Sequence, residues 1–169
     1  MSNQKIFIDG ELRLNEALKR IRAVADYQFG KGVGAKLFPE SAKILFSKRT
    51  GRIRYVYLDD KHLATLRPTD GFFSLGINGA KRLAKRAPEA ACFVTLREDI
   101  SQFVIAGGDL FAAHVLKADS KIRAKDEVII LDRDGHVLAV GRAALCGEEM
   151  TAFKRGIAVK VRRGTLEES

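Results

Sequence analysis

The sequence predicts an α+β fold in two units: a small mixed α/β unit over residues 1–91, followed by a small β-barrel over residues 92–169. Three observations carry this reading. The 169 residues are the length of one domain or of two small ones. Before Pro88 one helical period gives way to a short β-meander, whereas beyond Cys92 many short apolar runs surround a single helical stretch. Charge divides at the same place, with 18 Lys+Arg against 9 Asp+Glu in residues 1–91 and 12 of each in residues 92–169.

In the first unit, Leu18, Ile21, Ala25 and Phe29 recur at three- and four-residue steps, which predicts an amphipathic helix over Asn15 to Phe29 with Asn15 as its cap. The run GKGVG, Gly30 to Gly34, stops it and lacks the spacing of a phosphate-cradling loop. From Ala42 the pattern becomes AKILFS, a turn at Arg49-Thr50-Gly51, RIRYVYLD, a turn at Asp59-Asp60-Lys61, and HLATLR, a meander of three strands. Alternation puts Ile53, Tyr55 and Tyr57 on one face of the middle strand, the expected core face, and Arg52, Arg54 and Val56 on the other. A short apolar run, FFSLGI, and a basic helix over Gly79 to Arg86 complete the unit.

The second unit opens with a strand from Cys92 to Leu96 and a helix over Ile100 to Ala106, capped by Asp99 and ended by Gly107-Gly108. Strands are then expected in LFAAHVLKAD, EVIILDRDG, HVLAVGRAAL and GIAVKVRRG. So many short strands around one helix argue a closed barrel, which removes exposed sheet edges.

Composition excludes several classes. A 46% hydrophobic and 30% charged chain is ordinary for a globular protein, and no stretch approaches the ~18 apolar residues of a membrane span. The start, MSNQKIFIDGELRL, lacks the basic and apolar regions of a secretory signal, so a cytoplasmic location is expected. Cys92 and Cys146 have no neighbouring Cys or His and are expected as thiols, with neither disulfide nor metal. His62, His114 and His136 are scattered, Asp26 and Asp70 sit where acids form caps and turns, and Glu148-Glu149 and Glu167-Glu168 read as a solvated turn and a tail. No catalytic set, metal site or cofactor site is expected.

The net charge of +9 is what remains to be explained. It suits a polyanion, because cations that neutralise phosphates release condensed counterions. An anionic membrane surface would also take cations, but these are spread over several elements rather than along one amphipathic stripe, and a merely solubilising surface is the plain alternative. The densest run is SKRTGRIRYVY, where Lys48, Arg49, Arg52 and Arg54 crowd a hairpin without an acid among them. These four, with Arg67 and the helical Lys81, Arg82, Lys85 and Arg86, are the candidate phosphate contacts.

Specific motifs sharpen this. In the second unit, Gly107-Gly108-Asp109-Leu110-Phe111, then Asp119, Ile122-Arg123 and Asp126-Glu127-Val128, then Leu138-Ala139-Val140-Gly141, Met150 and Gly156 to Val161 follow in an order and spacing that resembles a PUA domain, a β-barrel RNA-binding module. The segments DYQFGKGVGAKLF, SKRTGRIRYV and LATLRPTDGFFSLGINGAKRL resemble the domain that precedes PUA in archaeosine tRNA-guanine transglycosylases. That resemblance implies a PUA-type barrel gripping tRNA near the acceptor stem and its 3′ end, with base exchange done by a separate catalytic barrel for which 169 residues leave no room. It carries RNA contact onto Gly107, Gly108, Asp109, Leu110 and Phe111, and onto Lys160, Arg162 and Arg163. Phe111 is open to two readings, a stacking side chain or a core residue sharing a face with Ala113 and Val115. The leading expectation is a tRNA-binding module or subunit of a split transglycosylase, without membrane association and without catalysis of its own. An independent RNA-modifying enzyme and a ribonucleoprotein interaction module are the alternatives.

Overall fold

The computed structural model describes residues 2–168, with side chains for 10–167. Helix α1 (Ser2–Phe29) lays Ala17, Ile21, Ala25 and Phe29 against a four-stranded antiparallel sheet, β1 (Lys43–Phe46), β2 (Ile53–Leu58), β3 (Lys61–Leu66) and β4 (Phe73–Leu75), in sequential order. The helix is longer than its apolar stripe. Asn15 is an exposed residue within it rather than its cap, because Glu11 to Leu14 are good helix formers and Gly10 is tolerated in a helix interior. The turn beyond Phe29 leads into a short helix, α2 (Val33–Leu37), that the sequence pattern did not announce, and there the Asp26 carboxylate accepts the Gly34 N–H at 2.6 Å. A Cβ on Gly34 would run into the Arg22 carbonyl, so α1 and α2 touch backbone to backbone.

One face of the sheet is core. Ile44, Val56, Ala64 and Leu75 lie side by side across all four strands and are buried. The edge strand β4 is covered by Gln28, whose amide donates to the Phe73 carbonyl at 2.9 Å and accepts the Phe73 N–H at 2.8 Å. Helix α3 (Ile77–Arg86) buries Ile77, Ala80 and Leu83 on this same core.

The second sheet runs β6 (Leu110–Phe111), β10 (Ile157–Gly164), β9 (Val137–Ala143), β8 (Glu127–Leu131), β5 (Phe93–Leu96), β7 (Val115–Ala118). Its core holds Val94, Leu96, Val104, Leu110, Ile122, Val128, Ile130 and Met150. The expected single strand from Leu110 to Asp119 is instead two strands joined by a 3-10 turn at Ala112–His114, which carries the chain from one end of the sheet to the other. The barrel is therefore nearly closed: its end strands β6 and β7 are linked through the chain and not by a ladder. The helix after β5 is also shorter than expected, a 3-10 turn at Glu98–Ile100 leading into α4 (Ser101–Ile105), and Asp99 lies 3.7 Å from His114 rather than capping it. Glu148 and Glu149 stand in α5 (Gly147–Ala152), and Thr165–Glu168 forms a closing 3-10 turn where a tail was expected.

The two units share an interface. Strand β8 is buried on both faces, Val128 and Ile130 facing the barrel interior while Ile129 joins the first unit's core with Cys92, Val137 and Val140. Among the described residues no helix is long and apolar enough to cross a membrane. Both cysteines are free, and burial, with Glu127 and Asp119 nearby, pushes the Cys92 thiol far up, which leaves it inert.

Candidate nucleic-acid interface

The hairpin tip between β1 and β2 is built by local hydrogen bonds. Ser47 N–H donates to the Arg52 carbonyl and Gly51 N–H to the Ser47 carbonyl, both at 2.8 Å, and Gly51 adopts φ 67°. This tip leans toward α1. Arg13 spans the gap, its guanidinium 4.7 Å from the Phe46 ring centroid and its Nη2 3.3 Å from the Gly51 carbonyl. Between helix and hairpin opens a cleft of ≈ 890 Å³ lined by Arg13, Arg20, Lys48, Arg49, Arg52, Arg54 and Arg67, with Glu16 as the acid among its lining residues. Arg13 and Arg20 were not singled out by sequence, although their seven-residue spacing, with Ala17 between them, puts them on one helical face.

The register explains how these cations share a site. A bulge in β2 pairs Leu45 with Tyr55 and Phe46 with Ile53, so Arg54 is the extra residue. The bulge swings Ile53 onto the core face, where it is buried, and separates it from Tyr55. Tyr55 is 37% exposed and Tyr57 half-buried, so neither tyrosine is the core residue that simple alternation predicted.

Several predicted contacts are held elsewhere. Arg67 is half-buried: its Nε donates to both Asp70 carboxylate oxygens at 3.0 and 3.1 Å and its Nη1 to Ser74 Oγ at 3.2 Å, with Glu127 at 3.8 Å. Arg162 is similarly committed, its Nη1 donating to Glu127 at 2.8 and 3.1 Å and its Nη2 to the Leu75 carbonyl at 2.7 Å. Leu75 N–H donates to the same carboxylate at 3.2 Å, and Arg142 reaches Asp70 at 3.3 Å. These residues form a polar clasp across the interface of the two units. Burial pushes the Glu127 carboxyl up, and Arg162, Arg67 and the Leu75 N–H pull it partway back. Burial also nudges Asp70 up, but the hydrogen bonds from Arg67 and the Phe72 N–H and the charges of Arg67 and Arg142 outweigh it and hold Asp70 below the ordinary aspartate value.

The cations of α3 lie apart from the hairpin. Lys81, Arg82, Lys85 and Arg86 line a second, smaller cleft of ≈ 310 Å³ with Lys61 and Asp59, at the β2–β3 turn. That turn is at the opposite end of the sheet, one six-residue strand or roughly 20 Å from the hairpin tip. Arg82 is part of the fold as well, its Nε donating to the Lys36 and Leu37 carbonyls at 2.8 and 3.1 Å, and burial together with Arg86 pulls its guanidinium value down.

On the barrel, Leu110 is fully buried in the core and its side chain cannot meet a ligand. Asp109 accepts the Val161 N–H at 2.9 Å, next to the register shift in β10. Gly108 has a packing reason, since a Cβ there would strike the Phe103 ring. Phe111 is 44% exposed, as are, to similar degrees, Phe103 and Phe153, which sequence reading passed over. Lys160, Arg162 and Arg163 are exposed, whereas Gly107, like Gly108, is half-buried. Asp132, Asp134 and His136 converge in the β8–β9 turn, but Asp132 is already occupied, accepting the Asp134 and His136 N–H groups and facing His136 Nδ1 at 3.0 Å.

Comparison with known proteins shows what each unit is similar to. Residues 19–89 match the patch-forming domain C2 of tRNA-guanine transglycosylase, and residues 93–165 match the PUA domain. The chain thus pairs a region similar to the C2 domain with one similar to the PUA domain. The tRNA-guanine(15) transglycosylase of Methanothermobacter thermautotrophicus is 44% identical over 147 residues, 87% of this chain and 22% of that protein. Its counterpart in Thermococcus kodakarensis is 44% identical over 149 residues, 88% of this chain and 25% of that protein. The C2–PUA chain therefore spans about a quarter of the length of these curated relatives and corresponds to their C-terminal part. Among solved structures, a hypothetical protein of Pyrococcus horikoshii superposes with a TM-score of 0.71 at 23% identity, covering 88% of this chain and 90% of that one. A PUA domain protein of Thermoplasma acidophilum gives 0.64 at 22%, covering 89% of each, and both likenesses speak for the fold.

Proposed function

We propose that the C2–PUA chain is a tRNA-binding module that acts beside a tRNA-guanine transglycosylase catalytic unit, in the cytoplasm, and takes no part in bond chemistry itself. The observation that carries this reading is the cleft between α1 and the β1–β2 hairpin, where Arg13, Arg20, Lys48, Arg49, Arg52 and Arg54 crowd around Glu16. Arg13 and Arg54 also pack on aromatic rings, but Lys48, Arg49 and Arg52 stand exposed, and a phosphate backbone is the ligand that relieves the repulsion of the whole set. The cations there position RNA and carry no sequence reading. Homology to the C-terminal part of tRNA-guanine(15) transglycosylases makes tRNA the RNA of choice.

Within the broader contact set, Lys81, Lys85 and Arg86 form a second phosphate station on α3, with Arg82 contributing charge while it holds α2. The PUA barrel takes the acceptor stem and the unpaired 3′ end, through Phe111, Lys160 and Arg163 and the backbone at Gly107 and Gly108. Arg67 and Asp109 support these surfaces from within, Arg162 is exposed but tied to Glu127, and Leu110 fills the core beneath Phe111. The test is a fluorescence-anisotropy titration of tRNA with and without its terminal unpaired nucleotides. Intact tRNA should bind with an affinity that falls steeply with salt, and the trimmed form should bind more weakly. Failure to bind tRNA at low ionic strength would overturn the reading, and equal affinity for both forms would remove the barrel from the 3′ end.

A further inference from the structure

We propose that the open face of the first sheet, centred on Tyr55, is a stacking site for an unpaired nucleobase of the RNA whose backbone lies in the adjoining cleft. This rests on the RNA-binding reading above. The strands set one row, Ile44, Val56, Ala64 and Leu75, into the core, and the neighbouring row in register, Leu45, Tyr55, Thr65 and Ser74, onto the opposite face. On that opposite face Leu45 and Tyr55 are each 37% exposed, and Tyr55 also lines the basic cleft.

The bulge at Arg54 is what creates the arrangement. Without it Ile53 would share the open face with Tyr55, whose side is set by its neighbour Val56 in the core row, and Arg54 would be turned toward the core. With it, the Arg54 guanidinium sits 5.6 Å from the Tyr55 centroid, so an aromatic ring and a cation stand together at the mouth of a phosphate cleft. A nucleotide presents the complementary pair, a flat base and a charged phosphate joined by one sugar. The ring is also held in place beforehand. His62 meets Tyr55 edge-on at 6.2 Å and Tyr57 at 5.3 Å, while its Nε2 is 3.0 Å from Thr65 Oγ1. A ring whose rotamer is already fixed loses little freedom on binding, and any base has a face to offer it. An unpaired base can reach the ring, whereas one inside a helix is stacked on its neighbours.

The experiment compares the whole protein with Tyr55→Leu and Tyr55→Phe by anisotropy against tRNA over a salt series, with thermal unfolding as a control. Tyr55→Leu should weaken binding about 5- to 150-fold and leave the salt slope unchanged, since every phosphate-binding cation is kept. Tyr55→Phe should bind like the wild type. Equal binding by Tyr55→Leu, or weaker binding accompanied by a flatter slope, overturns the stacking site while leaving tRNA binding itself intact. A wild-type protein that ignores tRNA at every salt concentration refutes the RNA reading instead. As a readout that needs no variant, tRNA carrying 4-thiouridine at unpaired positions should cross-link to Tyr55 on irradiation, and adducts found only outside β2 and β3 would contradict the site.

Discussion

Arg67 and Arg162 resemble the hairpin arginines in sequence, but their environments differ. Arg67 and the exposed Arg162 have carboxylates within 3.1 Å and backbone or hydroxyl acceptors besides, whereas Lys48, Arg49 and Arg52 stand exposed around the cleft. The count of charges was legible from sequence; which cations were already spent was not, because Glu127 lies 35 positions from Arg162 and 60 from Arg67. Phe111 shows the same limit. Alternation offered a core face, and the 3-10 turn that follows it breaks the alternation and leaves the ring out. Phe111→Ala should therefore cost about 1–3 kcal/mol of binding to intact tRNA and little to a trimmed one, which a paired titration reads directly. Asp70 supplies a pH dependence. Its carboxyl is held low, so its contribution to stability is present above the ordinary aspartate value of ~3.9 and is lost as pH falls through its own lower value. In Asp70→Asn that acid-side loss should be smaller, as measured by thermal unfolding across pH. Glu127 runs the other way: its raised carboxyl favours the fold below the ordinary glutamate value and less so as pH rises through its own.

Among the elements, strands and turns were the most legible. The turn at Asp59-Asp60 was marked by residue type, and the chain there takes φ 50° and 61°, the left-handed pair of a tight hairpin. Asp60→Gly should stabilise the protein by about 1 kcal/mol, seen as a higher Tm, because glycine adopts that conformation without the side-chain penalty. Bulges were not legible. A single extra residue at Arg54 reassigns Ile53 and Tyr55 to opposite faces, and nothing in a period-two pattern records which residue a partner strand will skip. The first turns of α1 were missed for a related reason, since residues 10–16 are exposed and leave no apolar period to read.

For the whole molecule, the division of charge between the two halves of the sequence anticipated that the basic cleft would lie in the first unit, but not how the halves are joined. Strand β8 reads as a continuous apolar run because the barrel fills one face and the first unit covers the other. Glu127 is the polar residue buried in that contact, and it ties Arg162 on one side to the Leu75 backbone on the other. Glu127→Ala should destabilise the protein by about 1–3 kcal/mol, measured by denaturant unfolding, because it leaves the Leu75 N–H without its acceptor, while Arg162 keeps the Leu75 carbonyl and its access to water. On the proposed reading, one tRNA spans both the cleft and the barrel. The most direct measurement of that grip is the log–log salt dependence of tRNA binding by the wild type and by a variant carrying Arg49→Gln, Arg52→Gln and Arg54→Gln. Each duplex phosphate that the variant no longer neutralises should flatten the slope by about 0.9, close to 3 in total if all three arginines touch phosphate. An unchanged slope would contradict a phosphate-binding hairpin.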